Sequence, residues 1–138
     1  MSSLQHNKDV IRRVFVDGFG EGRLDVVDEC LAPDAVDRHP FEPDEPDMRA
    51  HLKNAIRMLR GAMPDLAVSV EDLVAEADKV AARVVMTGTH TGGPLFGRPA
   101  SHRPVRVEQF HIIGMSQDGL GLTHQANVGE LEMLAQIA

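Results

Sequence analysis

Two polar residues on one predicted strand are the first candidates for chemistry in this sequence. Gln109 and His111 stand two positions apart in an otherwise aliphatic segment, and side chains two apart on a strand project from the same face. Burying an amide and an imidazole among aliphatic side chains is costly unless each has a hydrogen-bond partner. The pair therefore belongs either to a hydrogen-bonded core network or to the wall of a ligand cavity, and we favour the cavity.

Further acid–base candidates lie on other segments. His124 follows the parity of the apolar residues in the last predicted strand, so it is a candidate to face the same cavity, with a structural or subunit-interface role as the alternative. Asp37 and His39 adjoin Pro40 in a polar segment, where the alternative is a solvated turn or an ion pair with Arg38. An imidazole has an unperturbed pKa of about 6.5, so modest burial keeps it neutral and able to accept a proton.

The chain has no pattern typical of a metal or thiol site. Its seven histidines include neither a His-Glu-x-x-His helix nor a close pair with a carboxylate in strand register. Cys30 is the only cysteine, which excludes an intrachain disulfide and a thiolate metal cluster, and its apolar neighbours predict a small buried side chain rather than a nucleophile. We therefore predict no metal and no cofactor.

Length, composition and charge favour a small domain that does not bind nucleic acid or membranes. The chain has 138 residues, of which 43% are hydrophobic and 25% charged, which fits one domain over residues 1–138. The net charge of -7 opposes phosphate backbones and anionic lipid surfaces. No apolar run approaches the ~20 residues of a membrane span, and the first eight residues lack the apolar core of a leader. We expect a cytoplasmic protein.

The hydrophobic pattern predicts helices in the first half of the chain and strands in the second. Helical spacing marks residues 3–20, residues 24–31 and a third helix that Asp47 caps and that ends before Pro64. Residues 131–137 are predicted as a short terminal helix. Alternation with a period of two marks a long hairpin that turns at Asp78-Lys79, then strands 105–115 and 122–128 joined near Asp118-Gly119, besides a short strand at 35–38. The order predicts an α+β domain in which a curved antiparallel sheet is covered by helices on one face.

Two aromatic residues and one loop are placed to border the predicted cavity. Phe15 and Phe19 are four apart on the first predicted helix, where core packing is the alternative to cavity lining. The Gly- and Pro-rich segment 91–104 predicts a loop, and we expect His90 and His102 near its two ends to lie on the surface.

Several short segments occur along the chain in a fixed order: Asn7-Lys8 with Val10-Ile11-Arg12-Arg13-Val14-Phe15, Gly22-Arg23-Leu24-Asp25, Ala32-Pro33-Asp34, Pro64-Asp65-Leu66, Thr87-Gly88-Thr89-His90-Thr91-Gly92, Phe96-Gly97-Arg98-Pro99-Ala100 and Arg103-Pro104-Val105. In these segments, and over nearly its whole length, the chain resembles the SnoaL-like polyketide cyclase family. The resemblance implies the cone-shaped barrel shared with nuclear transport factor. It also implies ring closure by an intramolecular aldol reaction without a cofactor.

The resemblance assigns roles to the polar residues. In the characterised cyclases an aspartate takes a proton from carbon, and a Gln-x-His pair helps to hold the substrate and its enolate; Gln109 and His111 match that pair. The aspartate is expected in a His-x-Asp pattern on the last strand, where His124-Gln125-Ala126 has alanine instead. The segment between His111 and Asp118 is one residue longer than the pattern, which predicts a bulge and leaves Gln125 or Asn127 as the alternative.

The side chains of Ala126, Gln125 and Asn127 cannot act as a base near neutral pH, so acid–base chemistry needs another group. The candidates are His111, His124, and Asp37 or His39, whose segment corresponds to a family strand that lends polar side chains to the cavity.

These observations lead to one functional hypothesis and two alternatives. We predict a cofactor-independent cyclase that acts on a hydrophobic polyketide-type substrate in secondary metabolism, with His111, Gln109 and His124 catalytic. Substrate contacts are predicted for Asp37, His39, Phe15 and Phe19. The alternatives are a hydroxylase-like or dehydratase-like relative on the same fold and a non-catalytic small-molecule binding domain. The resemblance also implies a homodimer or homotetramer that pairs through the open sheet face.

Overall fold

A computed structural model describes residues 3–38 and 46–138 of the chain. The elements follow in the order α1 (Leu4–Arg13), a π-helical segment (Val14–Phe19), α2 (Leu24–Cys30), β1 (Leu31–Asp37), α3 (Met48–Ala62), β2 (Ala67–Glu76), β3 (Lys79–Thr89), β4 (Pro104–Met115), β5 (Gly121–Asn127) and α4 (Glu130–Gln136). The predicted α+β class is confirmed. His39 lies outside the described residues.

The five strands form one open sheet in the order β1-β5-β4-β3-β2. β2 to β5 are antiparallel neighbours, as predicted. β1, however, pairs with β5 in parallel, so the expectation of a wholly antiparallel sheet closed into a barrel is wrong at this edge. A period of two shows which segments are strands but carries no information on the direction in which distant strands pair.

The first helix begins at Ser3, whose side chain accepts a hydrogen bond from the backbone N–H of His6. It continues without a break into the π-helical segment, which buries Phe15 and Phe19. The helical run ends at Gly22, where φ is +75°, a value that glycine adopts without the strain a Cβ would cause. The predicted helix over 3–20 is therefore one helical run whose second half is π-helical.

The third helix starts where the sequence predicts. The side chain of Asp47 accepts a hydrogen bond from the backbone N–H of Ala50 and caps α3. The buried face of α3 is apolar apart from His51. At the other end, Arg60 donates to the backbone oxygens of Phe19 and Gly20 and ties α3 to the π-helical segment.

The strands of the sheet alternate between a buried and an exposed face. Along β4, Val105, Val107, Gln109, His111 and Ile113 are all buried, whereas the residues between them are not. The register of β4 against β5 shifts between Gly114–Thr123 and Met115–Gly121. The extra residue at this irregularity is Leu122 of β5, whereas the sequence predicts a bulge in the segment between His111 and Asp118. The helices cover the inner face, so the polar pair on β4 points into the core.

The loop between β3 and β4 is fastened to the C-terminal end of α3. The backbone N–H groups of Gly92 and Gly93 donate to the oxygens of Ala62 and Gly61, which have no partner within the helix. His90 is fully buried, so the expectation that it lies on the surface is wrong. Its Nε2 lies 3.0 Å from the oxygen of Gly93 and its Nδ1 lies 3.1 Å from Oγ of Ser101, and these contacts offset the cost of burying it. His102 is exposed, as expected.

None of the helices in residues 3–38 and 46–138 has the length and apolar character needed to cross a bilayer.

Candidate active site

Four buried polar side chains form a row across three neighbouring strands. Asp37 lies at the end of β1, His124 on β5, and His111 and Gln109 on β4, each with 4% or less of its surface exposed. Because β5 is the neighbour of both β1 and β4, the three strands bring these side chains together on the inner face of the sheet. Asp37 is opposite His124 in the β1–β5 register.

The row is joined by hydrogen bonds from end to end. Oδ2 of Asp37 lies 2.6 Å from Nδ1 of His124, and Nε2 of His124 lies 2.9 Å from Nδ1 of His111. On the other side, Nε2 of His111 lies 3.0 Å from Oε1 of Gln109, and Nε2 of Gln109 donates to the backbone oxygen of Val128 at 3.1 Å. We call these four side chains, Asp37, His124, His111 and Gln109, the polar chain.

A fifth polar residue approaches the polar chain from the helix side. Nε2 of His51, on α3, lies 3.5 Å from Oδ2 of Asp37, and His51 is 5% exposed. Sequence reasoning missed this residue. The available signal was a histidine on the apolar face of a helix, flanked at helical spacing by Met48, Leu52 and Ala55.

Burial controls the charge of His111. The loss of water around the ring, with a smaller contribution from the charge of His124, holds the pKa of His111 well below its ordinary value of 6.5. The ring also packs against Phe15, with 4.6 Å between the ring centres. His111 is therefore a neutral imidazole near neutral pH.

The polar chain borders a small cavity of about 20 Å³, which is room for about one water molecule. The cavity is lined by Phe19, His51, Leu52, Ala55, Leu59, Phe96, Gln109, His111, His124, Val128 and Met133. Substrate pockets are usually about 300–1,000 Å³. A substrate larger than a few atoms can therefore enter only if some of these apolar side chains move.

The structure places the predicted site residues as follows. His111, Gln109 and His124 all border the cavity, as does Phe19, whereas Phe15 lies behind the ring of His111. Asp37 contacts the two histidines His51 and His124 and is 2% exposed, so the alternative of a solvated turn is wrong. The predicted contact of His39 falls outside the described residues.

The last strand carries no carboxylate toward the cavity. Ala126 is the register partner of His111 and has the same parity as His124, whereas Gln125 and Asn127 are exposed. Ala126 is thus the residue at the position where the sequence pattern leads one to expect an aspartate. The carboxylate of the polar chain comes instead from Asp37, on the adjacent strand β1.

One group of side chains in the described residues has the composition of a metal site. One ligand atom each from Asp37, His51 and His124 lies within 4.8 Å of the others. The 2.6 Å contact of Asp37 with His124 has the length of a hydrogen bond with a proton between the two atoms. Two ligands of one zinc ion, each about 2.0–2.1 Å from the metal in a tetrahedral arrangement, lie farther apart than this. The arrangement is that of a hydrogen-bonded pair, and the absence of a metal stays a prediction.

Cys30, the last residue of α2, is buried, and burial raises the pKa of its thiol. A raised pKa disfavours the thiolate, so this side chain is a poor nucleophile.

Comparison with known proteins identifies the family to which the chain belongs. The family model for SnoaL-like polyketide cyclases matches residues 9–137. The chain belongs to the SnoaL-like polyketide cyclase family. No curated protein matches it in sequence.

Solved structures of this SnoaL-like fold align with the chain over nearly its full length. TsrD from Streptomyces laurentii is 26% identical with a TM-score of 0.88, and the match covers 100% of this chain and 98% of TsrD. IdmH from Streptomyces antibioticus, provisionally assigned as a polyketide cyclase, is 28% identical with a TM-score of 0.78, and the match covers 95% and 97% of the two chains. AclR from Streptomyces galilaeus, provisionally assigned as a hydroxylase, is 22% identical with a TM-score of 0.81 over 98% and 82%, and supports the fold alone.

Proposed function

We propose that this SnoaL-like protein is a cofactor-independent enzyme of secondary metabolism that closes a ring in a hydrophobic polyketide-type substrate by acid–base catalysis. The observation that carries the proposal is the polar chain, in which a buried carboxylate is linked through two imidazoles to an apolar cavity. A carboxylate, two histidines and a low-dielectric chamber are the elements from which proteins build positioned proton donors and acceptors.

Asp37 supplies the carboxylate that the last strand lacks. It does not border the cavity, so it acts on the substrate through His124 and His111 and is a positioning residue in our proposal. A carboxylate that accepts a hydrogen bond from an imidazole fixes the orientation of the ring and stabilises its protonated form. His111 and Gln109 are then the groups that meet a substrate carbonyl.

The apolar wall determines what can bind. The side chains of Leu52, Leu59, Phe96 and Met133 offer no hydrogen bonds. Among the lining residues that the structure describes, the polar chain and His51 are therefore the groups that can orient a polar group of the substrate. Folding a flexible carbonyl chain against this wall brings its reacting carbons together, which by itself lowers the barrier to ring closure. Phe96 is half-buried on the loop between β3 and β4, and we propose that it moves aside to admit the substrate.

The test uses a synthetic aryl poly-β-ketone, a flexible chain that can undergo an aldol ring closure. We expect the protein to convert it to a cyclised isomer of unchanged mass, and we expect His111→Gln to slow this by about 100-fold or more. His102→Gln, at an exposed histidine, is the matched control and should keep the full rate. Equal turnover by the His111 variant would contradict acid–base catalysis, and unchanged return of the bound compound would favour a non-catalytic binding protein.

The same experiment separates the enzymatic alternatives. Loss of one water without a new ring indicates a dehydratase. Incorporation of labelled oxygen from O₂ indicates a hydroxylase. A proton donor in an apolar chamber also suits the departure of a hydroxyl group, so the dehydratase is the second candidate that the polar chain favours.

We also propose that the protein forms a homodimer through the outer face of its sheet. Phe110 and Ile112 of β4 and Val74 of β2 are large apolar side chains that are 53%, 47% and 63% exposed on this face. An apolar row on an open sheet is a surface on which a second copy can pack.

A further inference from the structure

We infer that the polar chain stores one proton beyond those of two neutral histidines and a carboxylate, and that Gln109 keeps a hydrogen on Nε2 of His111, which leaves the added positive charge on His124. The stored proton follows from the hydrogen bonds alone. Its use to protonate a substrate oxygen rests on the proposed function.

The orientation of the Gln109 amide is set by the backbone oxygen of Val128. A carbonyl oxygen can only accept, so the side-chain amide of Gln109 must turn its NH₂ group toward Val128, at 3.1 Å. Its own oxygen, Oε1, then faces Nε2 of His111 at 3.0 Å. Two acceptors repel each other at this distance, so Nε2 of His111 must carry a hydrogen.

Counting the hydrogens gives the charge of the site. The contacts from Gln109 to His111, from His111 to His124 and from His124 to Asp37 are three hydrogen bonds, and each needs one hydrogen. Two neutral imidazoles have two N–H groups between them and an ionised carboxylate has none. The third hydrogen is therefore an added proton, and Asp37, His124 and His111 together have no net charge. Burying a neutral set costs far less than burying a lone carboxylate.

The surroundings place the positive charge at the end away from Gln109. His111 meets the uncharged ring of Phe15 from the π-helical segment and is opposite Ala82 in β3. Within the described part of the chain, the titratable group that touches it is His124 of β5. His124 in turn contacts the carboxylate of Asp37, which His51 approaches from α3. An imidazolium is stabilised beside a carboxylate and not beside an amide. The lowered pKa of His111 agrees with this placement.

In this arrangement Nε2 of His111 is ready to donate a proton to a substrate oxygen. When a substrate oxygen takes the place of Oε1 of Gln109, His111 gives the hydrogen on Nε2 to it. The hydrogen on Nε2 of His124 passes to Nδ1 of His111, and His124 keeps the hydrogen that it donates to Asp37. One proton has left, both histidines are neutral and Asp37 is a carboxylate. An enol hydrogen of the same substrate can restore the proton, so the chemical class that suits the site is a carbonyl compound with an enolisable partner.

The stored proton is tested on the whole protein by NMR of the ¹⁵N-labelled histidine rings near neutral pH. We expect His111 to carry hydrogen on Nε2 and not on Nδ1, and His124 to carry hydrogen on both nitrogens. A hydrogen on Nδ1 alone of His111, or only one hydrogen on His124, would overturn the inference. A divalent ion found bound to His124 by native mass spectrometry would overturn it as well.

Two glutamine variants separate the role of Gln109 from general damage. Gln109→Leu removes the acceptor, so we expect the added proton to be lost and His124 to show a single N–H. Gln136→Leu is the matched control, because the amide of Gln136 also makes two hydrogen bonds, to the backbone of Arg106 outside the polar chain. It should leave the ring signals of His111 and His124 unchanged, and a wild-type pattern in Gln109→Leu would contradict the role of Gln109.

The outcomes also separate this inference from the proposed function. The expected ring hydrogens in a protein that converts no carbonyl compound would leave the stored proton standing and reject the cyclase. Ring closure by a protein in which His124 carries only one hydrogen, or His111 carries its hydrogen on Nδ1, would support the cyclase and reject the stored proton.

Discussion

The carboxylate of Asp37 ends a row of buried side chains, and its histidine partners fix its position. Its Oδ2 contacts His124 and is 3.5 Å from His51, so one oxygen atom is shared by a strand histidine and a helix histidine. A buried carboxylate persists only where such partners compensate for the lost water. At the scale of single residues, the chemistry of the site depends on the contacts between its buried side chains, and two substitutions test this.

Replacing Asp37 with asparagine should impair both catalysis and stability. The amide keeps the shape and can still accept a hydrogen bond from His124, but it cannot stabilise an imidazolium. We expect the rate of ring closure to fall by about 100-fold or more and the free energy of unfolding to fall by about 1–3 kcal/mol. Steady-state rates and urea unfolding measure the two effects.

Asp34→Asn is the control, because Asp34 lies on the same strand and is exposed. It should match the wild type in both measurements. A similar loss of rate in both variants would remove Asp37 from the proposed machinery.

His111 should make the protein less stable in acid. Its pKa is lowered in the folded state, so the unfolded chain, with a pKa near 6.5, binds more protons. The stability that this neutral histidine contributes is complete above about pH 6.5 and is lost as the pH falls toward the lower folded pKa. The loss should be up to about 1.4 kcal/mol per pH unit.

The measurement is urea unfolding at a series of pH values. His111→Gln should flatten the slope below about pH 6.5, while His102→Gln should retain it. An unchanged slope in the His111 variant would assign the acid sensitivity to another group.

At the scale of elements, the loop between β3 and β4 is a fixed part of the cavity wall, because it is hydrogen-bonded to α3 and partly buried. Its glycines bind the last carbonyl groups of α3, His90 pins its two ends together, and Leu95 is fully buried. This holds Phe96 against the chamber. The close approach is made through Gly92, where an added Cβ would lie 2.0 Å from the backbone oxygen of Gly61.

Gly92→Ala should therefore separate the loop from α3 and destabilise the protein by about 1–3 kcal/mol. Gly93→Ala is the matched control, because a Cβ there would lie 3.8 Å from the same oxygen, an ordinary contact. Thermal unfolding compares the two variants. Equal melting temperatures would show that the loop adjusts to the added carbon without cost.

At the scale of the whole molecule, the two faces of the sheet carry different kinds of side chain. The inner face carries the polar chain under the helices, while the outer face shows apolar side chains around Arg83, which pairs with Asp72 and Glu108. Arginine and aromatic side chains such as Phe110 are enriched in protein–protein interfaces. The proposed dimer would cover this outer face and leave the cavity unobstructed.

Ile112→Lys should weaken the dimer by about tenfold or more, because it places a charge in the apolar row. Leu131→Lys is the matched control: Leu131 is 83% exposed but lies on α4, away from the row. Light scattering after size-exclusion chromatography, over a range of concentrations, measures the association. A wild-type protein that remains monomeric would contradict the dimer.

The sequence by itself determined the helices, the strands and the inward face of β4, because these depend on neighbours a few residues apart. Helical spacing, the Asp47 cap and the alternation around Gln109 and His111 are local patterns with local physical causes.

Only the tertiary structure decided which polar residues meet. Asp37 reaches His124 across 87 positions of sequence, through a parallel pairing that no local pattern encodes, and His51 arrives from a helix on the opposite side. The size of the cavity was equally beyond the sequence, because it is the small space that remains after side chains from the helices, β4, β5, α4 and a loop have packed together.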